Sequence, residues 1–177
     1  MATLTPTTGH FAHVAGARPK EQPVNNLTPI EILLVEDSQS DAEMTLRALK
    51  RHHLTNGIEW LEDGATAIDY LLRRGIYASR GNGDPRLILL DLKMPKLDGI
   101  DVLRVLKADA ATRTIPVVML TSSNEESDIV RSYDLGVNSY IVKPVEFTKF
   151  VEEVSKLGIY WIAMNKIPSP AKTCSDN

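Results

Sequence analysis

Leu87-Ile88-Leu89-Leu90-Asp91 is a run of four branched apolar residues stopped by a carboxylate. A run this short, without polar alternation, reads as a strand buried on both faces, the environment of a parallel sheet. The same pattern recurs on either side of it. Ile32 to Val35 stops at Glu36-Asp37, Val117 to Leu120 stops at Thr121, and Tyr140 to Val142 stops at Lys143-Pro144. From Ile30 onward strand and helix patterns alternate five times, which predicts a parallel sheet with helices on both faces. Ligands of such sheets bind beyond the carboxyl ends of the strands, so the residues after each run are expected to converge on one pocket.

That pocket would hold the carboxylates of Glu36, Asp37 and Asp91, the hydroxyl of Thr121 and the ammonium of Lys143. Like charges packed so closely call for a cation or for proton uptake. Oxygen-only ligands suit Mg²⁺ better than zinc, which prefers His and Cys. Asp91 is then a candidate nucleophile, able to accept a phosphoryl group as an acyl phosphate. Catalysis of such a transfer is mostly charge neutralisation and positioning, here by Mg²⁺, Lys143 and Thr121.

Four segments, Val35 to Asp37, Leu89 to Gly99 (Leu-Leu-Asp-Leu-Lys-Met-Pro-Lys-Leu-Asp-Gly), Leu120 to Ser123 and Tyr140 to Pro144, resemble the receiver domains of two-component response regulators in order, spacing and residue type. The resemblance spans about Pro29 to Leu157. It implies a flavodoxin-like, doubly wound, five-stranded parallel sheet with strand order 2-1-3-4-5. It also implies a phosphoacceptor signalling protein rather than an enzyme, with Asp91 receiving phosphate from a sensor histidine kinase. In that family the hydroxyl at the Thr121 position moves to the phosphoryl group and the aromatic at the Tyr140 position turns inward, reshaping the face of the fourth helix, fifth strand and fifth helix. The Lys143-Pro144 bond is expected to be cis, aiming the lysine into the pocket. Lys93, two residues past the acceptor, is expected to bind Mg²⁺ through its backbone carbonyl and to overhang the phosphoryl group.

The Trp60 to Leu72 segment, the long Arg73 to Arg86 stretch, read as an enlarged surface loop, and the tail resemble the small stand-alone regulators paired with bacterial phytochromes. That subfamily implies a light-regulated kinase as donor.

Helix starts carry their own signals. Asp63 and Asp98 precede apolar-periodic segments as N-caps, while Ser38 with Asp41 and Ser123 with Glu126 read as capping boxes. At the other end Phe147, Phe150, Val154, Leu157, Trp161 and Met164 recur every three or four residues as a helix seam. The first half covers the sheet. The second half, beyond Gly158, is too apolar to stand in water and predicts a homodimer through Trp161, Ile162 and Met164.

Residues 1–28, rich in Thr, Pro, Ala and Gly, read as a disordered lead-in; residues 29–157 form the domain, and residues 158–177 an extension whose apolar arm reaches about Met164. His10 and His13 lack the further ligands a metal site needs. With 177 residues and 43% hydrophobic content, the chain suits one domain with tails. A net charge of −3 argues against nucleic-acid binding, and the single cysteine, Cys174, against a disulfide framework. No apolar run is long enough to span a membrane and no signal-peptide pattern opens the chain, so a soluble cytoplasmic protein is expected. After Pro168 only a short polar tail follows, which leaves no DNA reader and points to action by protein contact, on a target or on a histidine phosphotransferase.

Three rival readings remain. An aspartyl-nucleophile phosphatase of the haloacid-dehalogenase type needs a second acid two residues on, where this chain has Lys93. A flavodoxin-like electron carrier needs a phosphate cradle where this chain has the acidic Glu36 to Ser40. A phosphorylation-independent pseudo-receiver would have lost a ligand or the acceptor.

Overall fold

The computed structural model describes residues 31–50, 57–81, 83–144 and 146–166. The lead-in, the two N-terminal histidines, Cys174 and the polar tail lie outside these residues. Each apolar run named above forms a strand: β1 (Ile32–Val35), β3 (Leu87–Leu90), β4 (Val117–Thr121) and β5 (Ser139–Val142). The remaining strand, β2 (Ile58–Leu61), is short and half-buried, and it lies at the sheet edge. Helices α1 (Gln39–Lys50), α2 (Gly64–Leu71), α3 (Gly99–Ala108), α4 (Glu126–Asp134) and α5 (Phe147–Gly158) alternate with them.

All four strand pairings are parallel, in the order β2-β1-β3-β4-β5. This is the doubly wound arrangement implied by the resemblance. Alternate residues of the central strands feed two cores. Leu33, Val35, Ile88, Leu90, Val117 and Met119 pack with Tyr70 and Leu71 of α2 and Leu103 and Leu106 of α3. On the opposite face Ile32, Leu34, Leu87, Leu89, Val118 and Leu120 pack with Ala48 and Leu49 of α1 and Phe150 and Val154 of α5. Complete burial of β1, β3 and β4 explains why their sequences carry no alternation.

Local signals hold at two helix starts. Asp63 accepts a hydrogen bond from the Thr66 amide at 2.7 Å, and Asp98 from the Asp101 amide at 2.9 Å. Ser38 accepts from the Asp41 amide at 3.4 Å, but the Asp41 side chain does not turn back to close the box; it reaches Lys143 instead. The expected Ser123–Glu126 box does not form. α4 begins later, after Glu125: the Ser123 hydroxyl donates to the Asp128 carboxylate at 2.8 Å, and its oxygen accepts from the Glu125 amide at 3.4 Å, two residues on rather than three.

The enlarged loop is built around Arg80. Its guanidinium lies 4.2 Å from the Tyr70 ring centroid, donates to the Tyr70 carbonyl at 3.2 Å and pairs with Asp84 at 3.2 Å. Gly75–Tyr77 makes one 3₁₀ turn there, and Tyr77 meets Tyr70 edge-on at 5.1 Å.

The C-terminal seam departs from its expected phase. α5 continues into a π-helical turn, Ile159–Met164, in which the Asn165 amide bonds the Tyr160 carbonyl five residues back. With the extra residue per turn, Ile162 is buried in the second core and Trp161 packs partly buried against it. Ile162 is 8% exposed there, so it is withdrawn from the dimer surface assigned to it. Trp161 is half-buried beside it, and Met164 is 70% exposed.

Candidate functional site

Register brings the acidic residues together. Val35 pairs with Leu90, so the next residue on each strand, Glu36 and Asp91, lies side by side where both strands end, and the Asp91 amide donates to the Val35 carbonyl. Thr121 pairs with Val142, which sets Lys143 one step beyond, its amide donating to the Thr121 carbonyl at 2.6 Å.

Carboxylate oxygens of Glu36, Asp37 and Asp91 all lie within 4.8 Å of one another. Glu36 and Asp91 are buried, while Asp37 faces solvent. Lys143 spans the group. Its ammonium stands 2.6 Å from Glu36 Oε2, 2.8 Å from Asp41 Oδ2 and 3.2 Å from Asp91 Oδ1. The other Asp91 oxygen accepts from the Lys93 amide at 2.9 Å. Glu36 is oriented from two sides: the Ser38 amide donates to its carboxylate at 3.3 Å, and the Trp60 indole donates to its backbone carbonyl at 2.9 Å.

The electrostatics follow from burial against pairing. Burial pushes the Glu36 carboxyl up to about 7, against the hydrogen bond and charge of Lys143. Burial also raises Asp91, opposed by Lys143 and by the Lys93 amide. For Lys143 burial alone would lower the ammonium; hydrogen bonds to Asp41 and Glu36, with the charges of Asp91 and Glu36, outweigh it and hold the group above its ordinary value. The lysine is therefore a fixed cation, and the carboxyls beside it carry an unmet demand for positive charge. An oxygen-only set with one exposed member fits a hard divalent cation that keeps several waters, and does not resemble a zinc site.

Thr121 is fully buried, with its hydroxyl oxygen accepting from the Ser123 amide at 3.2 Å. Tyr140 is half-buried and donates through its hydroxyl to the Ser123 carbonyl at 2.9 Å. Both expected switch residues thus meet at one serine.

The Lys143-Pro144 bond is trans, contrary to the cis expectation. The trans form is the favoured isomer of an X-Pro bond, and with it the lysine already reaches three carboxylates, so geometry makes no demand for cis. Lys93 also departs from expectation. Its ammonium does not overhang Asp91 but pairs with Asp128 of α4 at 2.8 Å. This holds the Asp128 carboxyl below its ordinary range, helped by the Ser123 hydroxyl.

Asp41, Asp128 and Trp60 were not read as site residues from sequence. Asp41 and Asp128 each sit in the first turn of a helix, where an acid is already accounted for by the helix dipole. Burial of Asp128 to 6% exposure was the missing signal.

A parallel 2-1-3-4-5 sheet with an acid pair after β1, an aspartate after β3, a hydroxyl after β4 and a lysine after β5 defines a receiver domain. The response regulator receiver domain family matches residues 32–155, and the chain belongs to it. Among its relatives, FilR2 of Methanothrix harundinacea, a probable methanogenesis regulatory protein, is 43% identical over 143 residues, 81% of this chain and 90% of that one. Response regulator Rcp1 of Synechocystis sp. strain PCC 6803 is 36% identical over 141 residues, 80% of this chain and 95% of that one. The crystal structure of Mn²⁺-bound Rcp1 superposes with a TM-score of 0.74, covering 80% of this chain and all (100%) of that one. The bacteriophytochrome response regulator RtBRR is 53% identical with a TM-score of 0.64, covering 79% of this chain and 84% of that one. The chain is a receiver-domain signalling protein homologous to these regulators, with an acidic pocket compatible with a divalent cation and with aspartyl phosphorylation. Among the described residues, no helix is long and apolar enough to cross a membrane.

Proposed function

We propose that this chain is the phosphoacceptor of a two-component pathway, taking a phosphoryl group from a sensor histidine kinase onto Asp91 with Mg²⁺. The observation that carries this reading is the single ammonium, Lys143, held among Glu36, Asp41 and Asp91 beside the carboxylate cluster. An Asp91 oxygen forms the new P–O bond as the P–N bond of a phosphohistidine breaks, the imidazole nitrogen keeping the electron pair. Mg²⁺ held by Glu36, Asp37, Asp91 and the Lys93 carbonyl would neutralise phosphoryl oxygens. Lys143 offers its N–H groups to those oxygens, and Thr121 supplies a hydroxyl once released from the Ser123 amide. Release of Thr121 disturbs Ser123, and through it Tyr140 and α4, which is the interaction face to be switched.

The name of RtBRR, a bacteriophytochrome response regulator, supports a phytochrome kinase as donor, and with it a light pathway in the cytoplasm. The receiver acts by protein contact, on a target or a histidine phosphotransferase, and not on nucleic acid or membrane. Residues 29–157 form the receiver and residues 158–177 its extension. Tyr160, Trp161 and Met164 pack against a second copy, a reading supported by Tyr160 and Met164 at 51% and 70% exposure.

Intact mass after incubation with acetyl phosphate and Mg²⁺ tests the central reading. A gain of one phosphoryl group, dependent on Mg²⁺ and absent in Asp91→Asn, supports it. No gain in the native chain overturns it in favour of a pseudo-receiver. Light scattering of a monomer in both phosphorylation states would overturn the dimer.

A further inference from the structure

Resting on that reading, we propose that Asp41, in the first turn of α1, is a positioning residue for phosphoryl transfer: it retains the Lys143 ammonium at the acceptor while Glu36 and Asp91 serve other partners. The ammonium has three hydrogens, and three carboxylates stand at 2.6, 2.8 and 3.2 Å to receive them. These carboxylates are not equivalent. Glu36 and Asp91 belong to the cluster that fits a divalent cation, and Asp41 does not.

Cation occupancy therefore draws on the charge of two of the three groups that hold the lysine, and like charge pushes the ammonium outward. Phosphorylation makes the Asp91 carboxyl part of a mixed anhydride, so that contact passes to the phosphoryl oxygens and the lysine must be kept in place to meet them. Asp41 alone keeps its full charge for Lys143 throughout. The loop that carries Glu36 and Asp37 places Asp41 as well, through the Ser38 hydroxyl that accepts from the Asp41 amide. Metal ligands and lysine anchor are thus set by one turn of chain.

The test uses the full chain, with Asp41→Asn, Lys143→Met and the double variant, acetyl phosphate as donor and isothermal titration of Mg²⁺. In the reaction an Asp91 oxygen bonds phosphorus while the P–O bond to acetate breaks and acetate leaves as the anion. Asp41→Asn is expected to slow phosphoryl uptake at saturating Mg²⁺ about tenfold. It is also expected to weaken Mg²⁺ binding about two- to threefold, because a less neutralised Lys143 repels the cation. In the Lys143→Met background the same substitution changes neither quantity, since Asp41 acts through the lysine. Native-like or faster uptake in Asp41→Asn overturns the proposal, as does an equal loss with and without Lys143. Should Lys143→Met fail to fold, Asp41→Glu takes its place: a retained carboxylate restores most of the rate, and failure to do so overturns the proposal. If the native chain takes up no phosphoryl group, the reading of Asp91 fails, and the Mg²⁺ titrations still decide the role of Asp41.

Discussion

Replacing Gly99 by alanine places a methyl group 2.3 Å from the Asp91 carbonyl oxygen and 2.9 Å from the Leu92 Cα, where ordinary contact begins near 3.4 Å. Both neighbours are backbone, so no side chain can swing aside. Gly99 opens α3, and its amide donates to the Leu92 carbonyl at 2.8 Å, which ties the helix start to the acceptor turn. Relief needs a displacement of about 1 Å in one of two backbones buried against the first core. Overpacking of this kind costs about 3 kcal/mol, equivalent to about 10 °C in Tm for a domain of this size. The displaced atoms belong to Asp91, so phosphoryl uptake falls with stability, by about 10²-fold for a shift of that length. Urea denaturation and uptake from acetyl phosphate measure the two effects. Gly81, whose added Cβ would meet nothing within 4 Å, provides the control, with Gly81→Ala expected within about 0.5 kcal/mol of native. A Gly99→Ala protein as stable as that control would refute the steric argument.

Asp63→Ala removes the cap of α2 and costs about 1 kcal/mol at pH 7 by chemical denaturation. The bond to the Thr66 amide depresses the native Asp63 carboxyl, so this difference is complete above about pH 4 and vanishes as pH falls through the native value; a difference that persists at pH 2 contradicts the assignment. Phe150→Ala empties a fully buried site between α5 and the sheet and is expected to cost about 3–5 kcal/mol, read as a lowered denaturation midpoint. Lys93→Asn breaks the pair with Asp128 and is expected to change the lifetime of the phosphorylated protein without abolishing phosphorylation; equal lifetimes by mass spectrometry count against it.

Chain features that report on a strand or its end were legible in the sequence. The Leu87–Leu90 run and its neighbours carry fold information because both faces are buried, and Glu36, Asp37, Asp91, Thr121 and Lys143 follow from parallel register. Features that depend on which of several nearby partners a side chain chooses were not legible. Ser123 offers a cap and takes Asp128, Lys93 could overhang the acceptor and takes the same acid, and Asp41 could close a box and takes Lys143. The last two choices are settled by a distance between elements far apart in sequence, and the first by the acid that Lys93 also holds. The phase of the last seam failed for a different reason, since a π turn leaves no mark in a pattern of threes and fours.

The bond from the Trp60 indole to the Glu36 carbonyl gives the pocket an optical handle. The chain has two tryptophans, and the other, Trp161, lies in the C-terminal π turn. A Trp161→Phe protein therefore emits from a single indole joined to the backbone of a pocket carboxylate. Its fluorescence is expected to follow events at the acceptor without any attached dye.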